Sequence, residues 1–415
     1  MTYSGWLDWE KYLPDWTKSI FHPQNQADIQ SHSVTVKGVE PTDPPEHIRY
    51  YQLGHGKTIL FFAPGNNTSA VSYLLLLQEF AAVPEILAEY TVILPDYRGS
   101  GQSSYHKKIN ALRDFAHDFD QVLSHILAKR NDSHTDNITP KIHLVGYSMG
   151  FAVAMEMLII NPARYERLVG LAPVGTRGYR LHFNNQQAGF DGETNWQAGD
   201  YIPNHDDKIG IAATAFHQRA WQGIQHTPVA VKFIWDMTVF NDIGAYNLTG
   251  LTPTNFAFSF SPTYASIIQE EFNIKFMPES LYYLHKFNIS NHDGGAHINS
   301  NGLKITRTGD GRLAHHAKGK KILLLKAATD YRNWRGDVVL PDKVITTSLA
   351  DLTEAGADVQ AVLIDANQGY DHGFPLTKPV ETVAILYRFL SGKLSTAEDA
   401  SQALAGARVK ILGLS

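Results

Sequence analysis

Short, continuous apolar runs that recur along the chain restrict its fold more than any other feature. Each run has the length of one β-strand, and together they cover residues 58–63, 90–94, 142–145, 168–171, 321–325 and 361–364. A run without alternation indicates a strand that is covered on both faces, as in a parallel sheet. Helices are predicted between these strands over residues 114–129 and 151–160, and after the last strand over residues 380–390. Strands and helices in alternation predict an α/β fold.

Two segments near the N-terminus have a different pattern. Residues 33–39 and 47–53 alternate apolar and polar side chains, and the proline-rich segment 41–45 separates them. Alternating strands joined by a turn predict an antiparallel hairpin at the edge of the sheet.

One long stretch, rich in aromatic residues, His and Asn, interrupts the alternation of strand and helix. We expect it to form an inserted, largely helical cap over residues 176–319. The core then comprises residues 33–175 and 320–391. Residues 1–32 are expected to be an N-terminal extension that packs on the core, and residues 392–415 an appendage with a helix and a short apolar end.

Composition excludes several classes of protein. The 36 Lys and Arg residues against 41 Asp and Glu give a net charge of −5, which offers no electrostatic basis for binding nucleic acid or an anionic membrane. Since the chain has no cysteine, disulfides, thiolate metal sites and a Cys nucleophile are excluded. No apolar run is long enough to span a bilayer and no signal peptide is visible, so we expect a cytoplasmic protein.

A five-residue motif carries the clearest chemical signal. Gly146-Tyr147-Ser148-Met149-Gly150 follows a predicted strand and opens a predicted helix. Glycines at these positions allow the crowded turn on which a serine nucleophile is presented, and the helix N-terminus offers N–H groups to an oxyanion. We therefore predict that Ser148 is a nucleophile. The alternative is a purely structural turn.

A serine nucleophile needs a base and an acid that orients the base. His372 lies after the last predicted parallel strand, which fits the chain order of nucleophile, acid and histidine. The alternative for His372 is a loop residue that caps the next helix. Asp330 follows the strand 321–325 and is the predicted acid, while Asp337 is its rival.

Two backbone amides are expected to bind the oxyanion. One belongs to Met149, directly after the predicted nucleophile. The other is assigned to Asn66, in the loop that follows the strand 58–63, where Gly65 permits close approach of the backbone. An ordinary turn built from Gly and Asn is the alternative reading of this loop.

At this point the chain resembles the α/β-hydrolase family in its esterase-like branch. Besides residues 146–150, the segment Asp96–Ser103 is similar to the family's D-x-R-G-x-G-x-S loop, and residues 161–169 are similar to the segment that leads into its sixth strand. The resemblance implies a mostly parallel eight-stranded sheet, flanked by helices, with a cap over the active site. The chain departs from the family pattern at Pro64, where the family often has His, and at Ala327, where a glycine is common.

The leading hypothesis is a serine hydrolase that cleaves a carboxylic ester or related acyl compound, with a small-molecule substrate and no cofactor or metal. The same residues could serve an acyltransferase, an amidase or iminopeptidase, a lactonase, or a carbon–carbon bond hydrolase. A non-catalytic ligand-binding protein is the alternative from a different class. Seven aromatic residues could line an acyl pocket or form the core of the cap: Trp196, Trp221, Trp235, Phe256, Phe258, Phe260 and Tyr264.

Overall fold

The structure is a computed structural model of the 415-residue chain. It describes residues 29–38, 40–66, 68–133, 140–177, 287–291, 293–298, 304–328, 333–334, 337–338, 341–366, 368–370 and 372–413.

Strands and helices alternate through most of the described residues. The strands are β1 (Gln30–Val36), β2 (Glu46–Leu53), β3 (Thr58–Ala63), β4 (Tyr90–Pro95), β5 (Ile142–Tyr147), β6 (Arg167–Leu171), β7 (Asp293–Ile298), β8 (Lys304–Thr308), β9 (Lys321–Ala327), β10 (Asn333–Trp334), β11 (Asp337–Val338), β12 (Asp358–Ile364) and β13 (Val409–Leu412). The α-helices are α1 (Leu74–Ala81), α2 (Pro84–Glu89), α3 (Leu112–Ser133), α4 (Met149–Ile160), α5 (Leu313–His316), α6 (Pro341–Glu354), α7 (Phe374–Thr377), α8 (Pro379–Leu390) and α9 (Ala397–Ala403).

Nine of these strands form one sheet in the order β1-β2-β4-β3-β5-β6-β9-β12-β13. The strands from β4 to β12 run parallel, and the predicted hairpin of β1 and β2 lies antiparallel at one edge. From β3 the chain crosses first to β4 on one side and then to β5 on the other. The carboxyl ends of β3 and β5 therefore form a topological switch point, where open α/β sheets bind their ligands.

Two apolar cores cover the two faces of the sheet. On one face the strands pack against α3, α4 and α6, and on the other they pack against α1, α8 and α9. This double cover explains why the parallel strands consist of continuous apolar runs. The predicted α/β fold, its mostly parallel sheet and the flanking helices are confirmed.

The sheet has one strand more than expected. Strand β13 pairs antiparallel with β12, so that Ala361 lies opposite Leu412 and Ile364 opposite Val409. The short apolar end of the chain thus completes the sheet edge. Its sequence is too short to display a strand period, and its partner lies about fifty residues earlier.

Much of the predicted cap, like most of the N-terminal extension, lies outside the described residues. At the C-terminal border of the cap, Phe287, Ile289 and Leu313 belong to the apolar core that α3 and α4 share. Strands β7 and β8 form a separate antiparallel pair in the same region. None of the described helices combines the length and the apolar character that crossing a membrane requires.

Candidate active site

A sharp turn between β5 and α4 presents Ser148 at the switch point. Its backbone has φ 52° and ψ −117°, a conformation that is unfavourable for a residue with a side chain. A Cβ atom on Gly146 would lie 2.5 Å from the carbonyl oxygen of Gly150, and one on Gly150 would lie 2.0 Å from the carbonyl oxygen of Ala63. The close packing of the turn therefore requires both glycines, which accounts for their spacing around Ser148.

The structure brings Ser148 and His372 into contact. The Oγ atom of Ser148 and the Nε2 atom of His372 are 2.9 Å apart, and each residue is only 3% exposed. His372 lies between β12 and α7, and the ring of Tyr147 packs against its imidazole with the ring centroids 5.3 Å apart. A hydrogen bond to a histidine nitrogen is the arrangement that allows a serine hydroxyl to lose its proton.

Two aspartates that follow strand β9 are the candidates for the acid of the site. Asp330 falls outside the described residues, whereas the backbone of its rival Asp337 forms part of the two-residue strand β11. Strand β9 ends three residues before Asp330 and lies directly beside β12, from which the chain leads to His372. The assignment of the acid to Asp330 stays a prediction.

Both predicted oxyanion donors, Met149 and Asn66, are among the described residues. Met149 is the first residue of α4, where backbone N–H groups have no carbonyl partner within the helix. Asn66 is buried in the loop after β3, next to Gly65. A Cβ atom built on Gly65 would lie 3.5 Å from the Cβ of Ser148 and 2.7 Å from the ring of Tyr147. The loop therefore lies directly against the turn that carries Ser148, and only glycine fits at position 65.

The segment Asp96–Ser103 makes hydrogen bonds to the loop that follows β3. The carboxylate of Asp96 accepts hydrogen bonds from the Arg49 side chain and from the backbone N–H of Ala70. The hydroxyl of Tyr97 donates to the carbonyl oxygen of Pro64 over 2.6 Å. These contacts attach the β3 loop to the end of β4, which gives the Asp96–Ser103 segment a structural role.

A buried ion pair holds the same segment to α3. Two nitrogen atoms of the Arg98 guanidinium each donate to one carboxylate oxygen of Asp118, both over 2.6 Å. Neither side chain exceeds 2% exposure. A bidentate pair of this kind fixes both the distance and the angle between its two elements.

Sequence reasoning did not find Thr68 and Tyr73, two further residues of the site. Tyr73 accepts a hydrogen bond from the Gly65 N–H, and Thr68 donates one to the Gly65 carbonyl oxygen. Neither belongs to a motif or to a periodic pattern. Their only signal in the sequence is that both follow the β3 loop within nine residues of Pro64.

No metal site appears in the part of the chain that the structure describes, where no group of three or more His, Asp or Glu side chains is placed to hold an ion. His315 and His316 are neighbours in the short helix α5, and His315 is exposed.

Comparison with known proteins relates the chain to hydrolases. A sequence model of the family described as serine aminopeptidase, S33, matches residues 54–188, a range that includes the β3 loop and Ser148 but ends before His372. The sequence matches no curated protein.

Two solved structures illustrate the likeness in fold. Cfl2 from Burkholderia cenocepacia is 14% identical, with a TM-score of 0.52 and an alignment that covers 88% of this chain and 97% of Cfl2. A probable hydrolytic enzyme from Pseudomonas aeruginosa PAO1 is 15% identical, with a TM-score of 0.51 and coverage of 89% of this chain and 96% of that one. Together with the sheet order and the strained turn at Ser148, these likenesses show that the chain has the α/β-hydrolase fold.

Proposed function

We propose that the chain is a serine hydrolase that cleaves a carboxylic ester or related acyl compound through an acyl-enzyme on Ser148. The observation that carries the proposal is the 2.9 Å contact between Ser148 Oγ and His372 Nε2 at the switch point of the sheet. A hydroxyl next to a helix N-terminus and in contact with an imidazole has what nucleophilic attack on a carbonyl requires.

In the proposed first half-reaction, Ser148 Oγ attacks the acyl carbon while His372 Nε2 accepts the hydroxyl proton. The backbone amides of Met149 and Asn66 bind the oxyanion that forms on the carbonyl oxygen. When the tetrahedral intermediate collapses, His372 returns the proton to the leaving alkoxide, and an alcohol departs. Asp330 would hold the imidazole in the tautomer that this transfer requires.

In the second half-reaction, water attacks the acyl-enzyme. His372 takes one proton from the water and passes it to Ser148 Oγ, so that the free carboxylic acid leaves and the enzyme is restored. An acceptor alcohol in place of water would give acyl transfer instead. The residues of the site serve both outcomes, and access of the acceptor decides between them.

A second candidate is the hydrolysis of an amide bond beside a free amino group. The family that matches residues 54–188 is described as serine aminopeptidase. An aminopeptidase cleaves beside a free amino group, and a carboxylate near the acyl group would bind that amine. This candidate predicts turnover of aminoacyl amides and little turnover of simple alkyl esters.

Labelling with a fluorophosphonate probe tests the proposed nucleophile. We expect the wild-type protein to be labelled, the variant Ser148→Ala to lose the label, and Ser124→Ala, on the exposed face of α3, to retain it. Absence of labelling in the wild type would favour a non-catalytic ligand-binding protein and contradict the proposal.

A substrate panel tests the acyl chemistry. It should contain p-nitrophenyl esters of increasing chain length, lactones, and aminoacyl p-nitroanilides, each assayed with wild type and Ser148→Ala. Hydrolysis of esters that depends on Ser148 supports the leading candidate, and selective hydrolysis of the anilides supports the second.

A further inference from the structure

Two side-chain hydroxyls bind the loop that carries Asn66. The backbone N–H of Gly65 donates to the Tyr73 hydroxyl over 2.8 Å, and the Thr68 hydroxyl donates to the Gly65 carbonyl oxygen over 2.9 Å. The oxygens of Thr68 and Tyr73 are 3.2 Å apart. All three residues are buried.

The directions of these hydrogen bonds follow from the number of hydrogens. The hydroxyl of Thr68 has one hydrogen, and it points to the Gly65 carbonyl oxygen. Any hydrogen bond between Thr68 and Tyr73 therefore has the Tyr73 hydroxyl as its donor. Such a bond completes a circuit in which Gly65 N–H donates to Tyr73, Tyr73 to Thr68, and Thr68 back to the Gly65 oxygen.

This circuit sets the orientation of the next amide. Since the peptide bond is trans, the C=O of Gly65 and the N–H of Asn66 point in opposite directions. The Thr68 hydroxyl holds the Gly65 carbonyl oxygen on the side of the peptide that faces Thr68. The Asn66 N–H therefore points away from Thr68. The hydroxyl of Tyr97, bound to the Pro64 oxygen, prevents the preceding peptide from turning over.

The loop held in this way lies against the turn that carries Ser148. A Cβ atom built on Gly65 would lie 3.5 Å from the Cβ of Ser148. The ring of Tyr73 also contacts the ring of Tyr147 edge to face, with centroids 6.1 Å apart, and Tyr147 in turn packs against His372.

We propose that Thr68 and Tyr73 are positioning residues that orient the Asn66 amide towards the oxyanion formed on Ser148. The inference rests on the proposed serine-hydrolase function. A donor that is already oriented when charge develops costs no reorganisation in the transition state, and this is the source of most oxyanion-hole stabilisation. Neither hydroxyl touches the substrate, so each acts through the peptide that it holds.

The variants Thr68→Val and Tyr73→Phe remove one hydroxyl each and keep the shape of the side chain. We expect kcat per active site, counted by titration with a fluorophosphonate, to fall about tenfold or more in each variant, while KM changes by less than about threefold. The inhibition constant of phenylboronic acid, whose serine adduct is tetrahedral, should rise by a similar factor. Thr68→Ser, which retains the hydroxyl, should recover most of the activity.

Two control variants separate positioning from a general loss of structure. In Thr91→Val a hydroxyl bound to the Gly56 carbonyl oxygen is removed, and in Tyr165→Phe a buried phenol bound to Asp120 is removed. Both lie at the opposite end of the sheet from Ser148. We expect them to lower the melting temperature without changing the inhibition constant of phenylboronic acid, which does not depend on the fraction of folded enzyme.

Failure of the inference and failure of the proposed function give different results. If wild type hydrolyses an ester and both Thr68→Val and Tyr73→Phe keep its kcat and its boronate inhibition constant, only the positioning role is overturned. If wild type shows neither labelling nor turnover, the serine-hydrolase function is overturned and the positioning role with it.

Discussion

The Nε2 atom of His372 lies 2.9 Å from the Oγ atom of Ser148, although 224 residues separate the two along the chain. Ser148 directly follows strand β5. His372 follows strand β12, which lies three strands away from β5 in the sheet. This arrangement makes His372 the only described imidazole in contact with the serine hydroxyl.

Replacing His372 by alanine should therefore remove turnover and leave the fold intact. With no base in contact with Ser148, we expect the rate of ester hydrolysis to fall by about a thousandfold or more. Circular dichroism and the melting curve should stay close to those of wild type. His315→Ala, at an exposed position of α5, is the control, and turnover that survives His372→Ala would show that another group is the base.

Substitution of Gly150 by alanine should prevent the turn at Ser148 from closing. The added Cβ would lie 2.0 Å from the Ala63 carbonyl oxygen, which belongs to the backbone and cannot move without disturbing β3. We expect a loss of about 3 kcal/mol or more in the free energy of unfolding, measured by urea denaturation, because overpacking against backbone has no low-cost relaxation.

Gly319→Ala is the matched control for that measurement. Gly319 has φ 73° and nothing within 4 Å of an added Cβ. The backbone conformation alone should cost about 1 kcal/mol there. Equal losses in the two variants would show that the contact with Ala63 is not what requires glycine at position 150.

Much of the fold could be predicted because its signals are local. Strand β3 begins and ends at the predicted residues 58 and 63, since a fully buried strand is a continuous apolar run with polar or turn residues at both ends. Ser148 and His372 could also be named, the first from its motif and the second from its place in the chain order.

The remaining features depend on contacts between distant residues. Thr68 and Tyr73 contact Gly65 only because the chain turns back after β3, and no periodicity in the sequence marks a hydroxyl that binds a peptide. Strand β13 is defined by its pairing with β12 rather than by its own four residues. The choice between Asp330 and Asp337 depends on the direction of a loop, which composition does not encode.

Breaking the Arg98–Asp118 pair should destabilise the protein more than removing the pair altogether. In Arg98→Met or Asp118→Leu the remaining charge is buried without its bidentate partner, and we expect each variant to lose about 3–5 kcal/mol. The double variant should lose much less than the sum of the two. Urea denaturation of the four proteins measures the coupling.

The exposed pair of Lys141 and Glu166 provides the control cycle. Its nitrogen and oxygen are 3.5 Å apart, and the side chains are 67% and 46% exposed. Solvent screens such a pair, so alanine substitutions there should show coupling below about 0.5 kcal/mol. Additive losses at Arg98 and Asp118 would mean that their contact contributes no more than this exposed pair.

The pH dependence of stability should contain a contribution from His143, at the centre of the sheet in β5. Burial, the largest cause, and the positive charge of Arg167 lower the pKa of His143 from 6.5 to about 4. In the unfolded chain the imidazole takes up a proton near pH 6.5, but in the folded protein only near pH 4. The unfolded state therefore binds more protons between these values, and acidification favours unfolding.

We expect the stabilisation associated with neutral His143 to be complete above pH 6.5 and to disappear as the pH falls towards 4, a total change of about 3 kcal/mol. His143→Leu removes the titrating group and should flatten the dependence of the unfolding free energy on pH in this window. Leu144→Val, in the same strand, should lower stability by a similar amount at every pH and leave the slope unchanged. Because both variants alter the packing of β5 and only one removes a proton-binding group, equal slopes in the two would show that another residue governs acid unfolding.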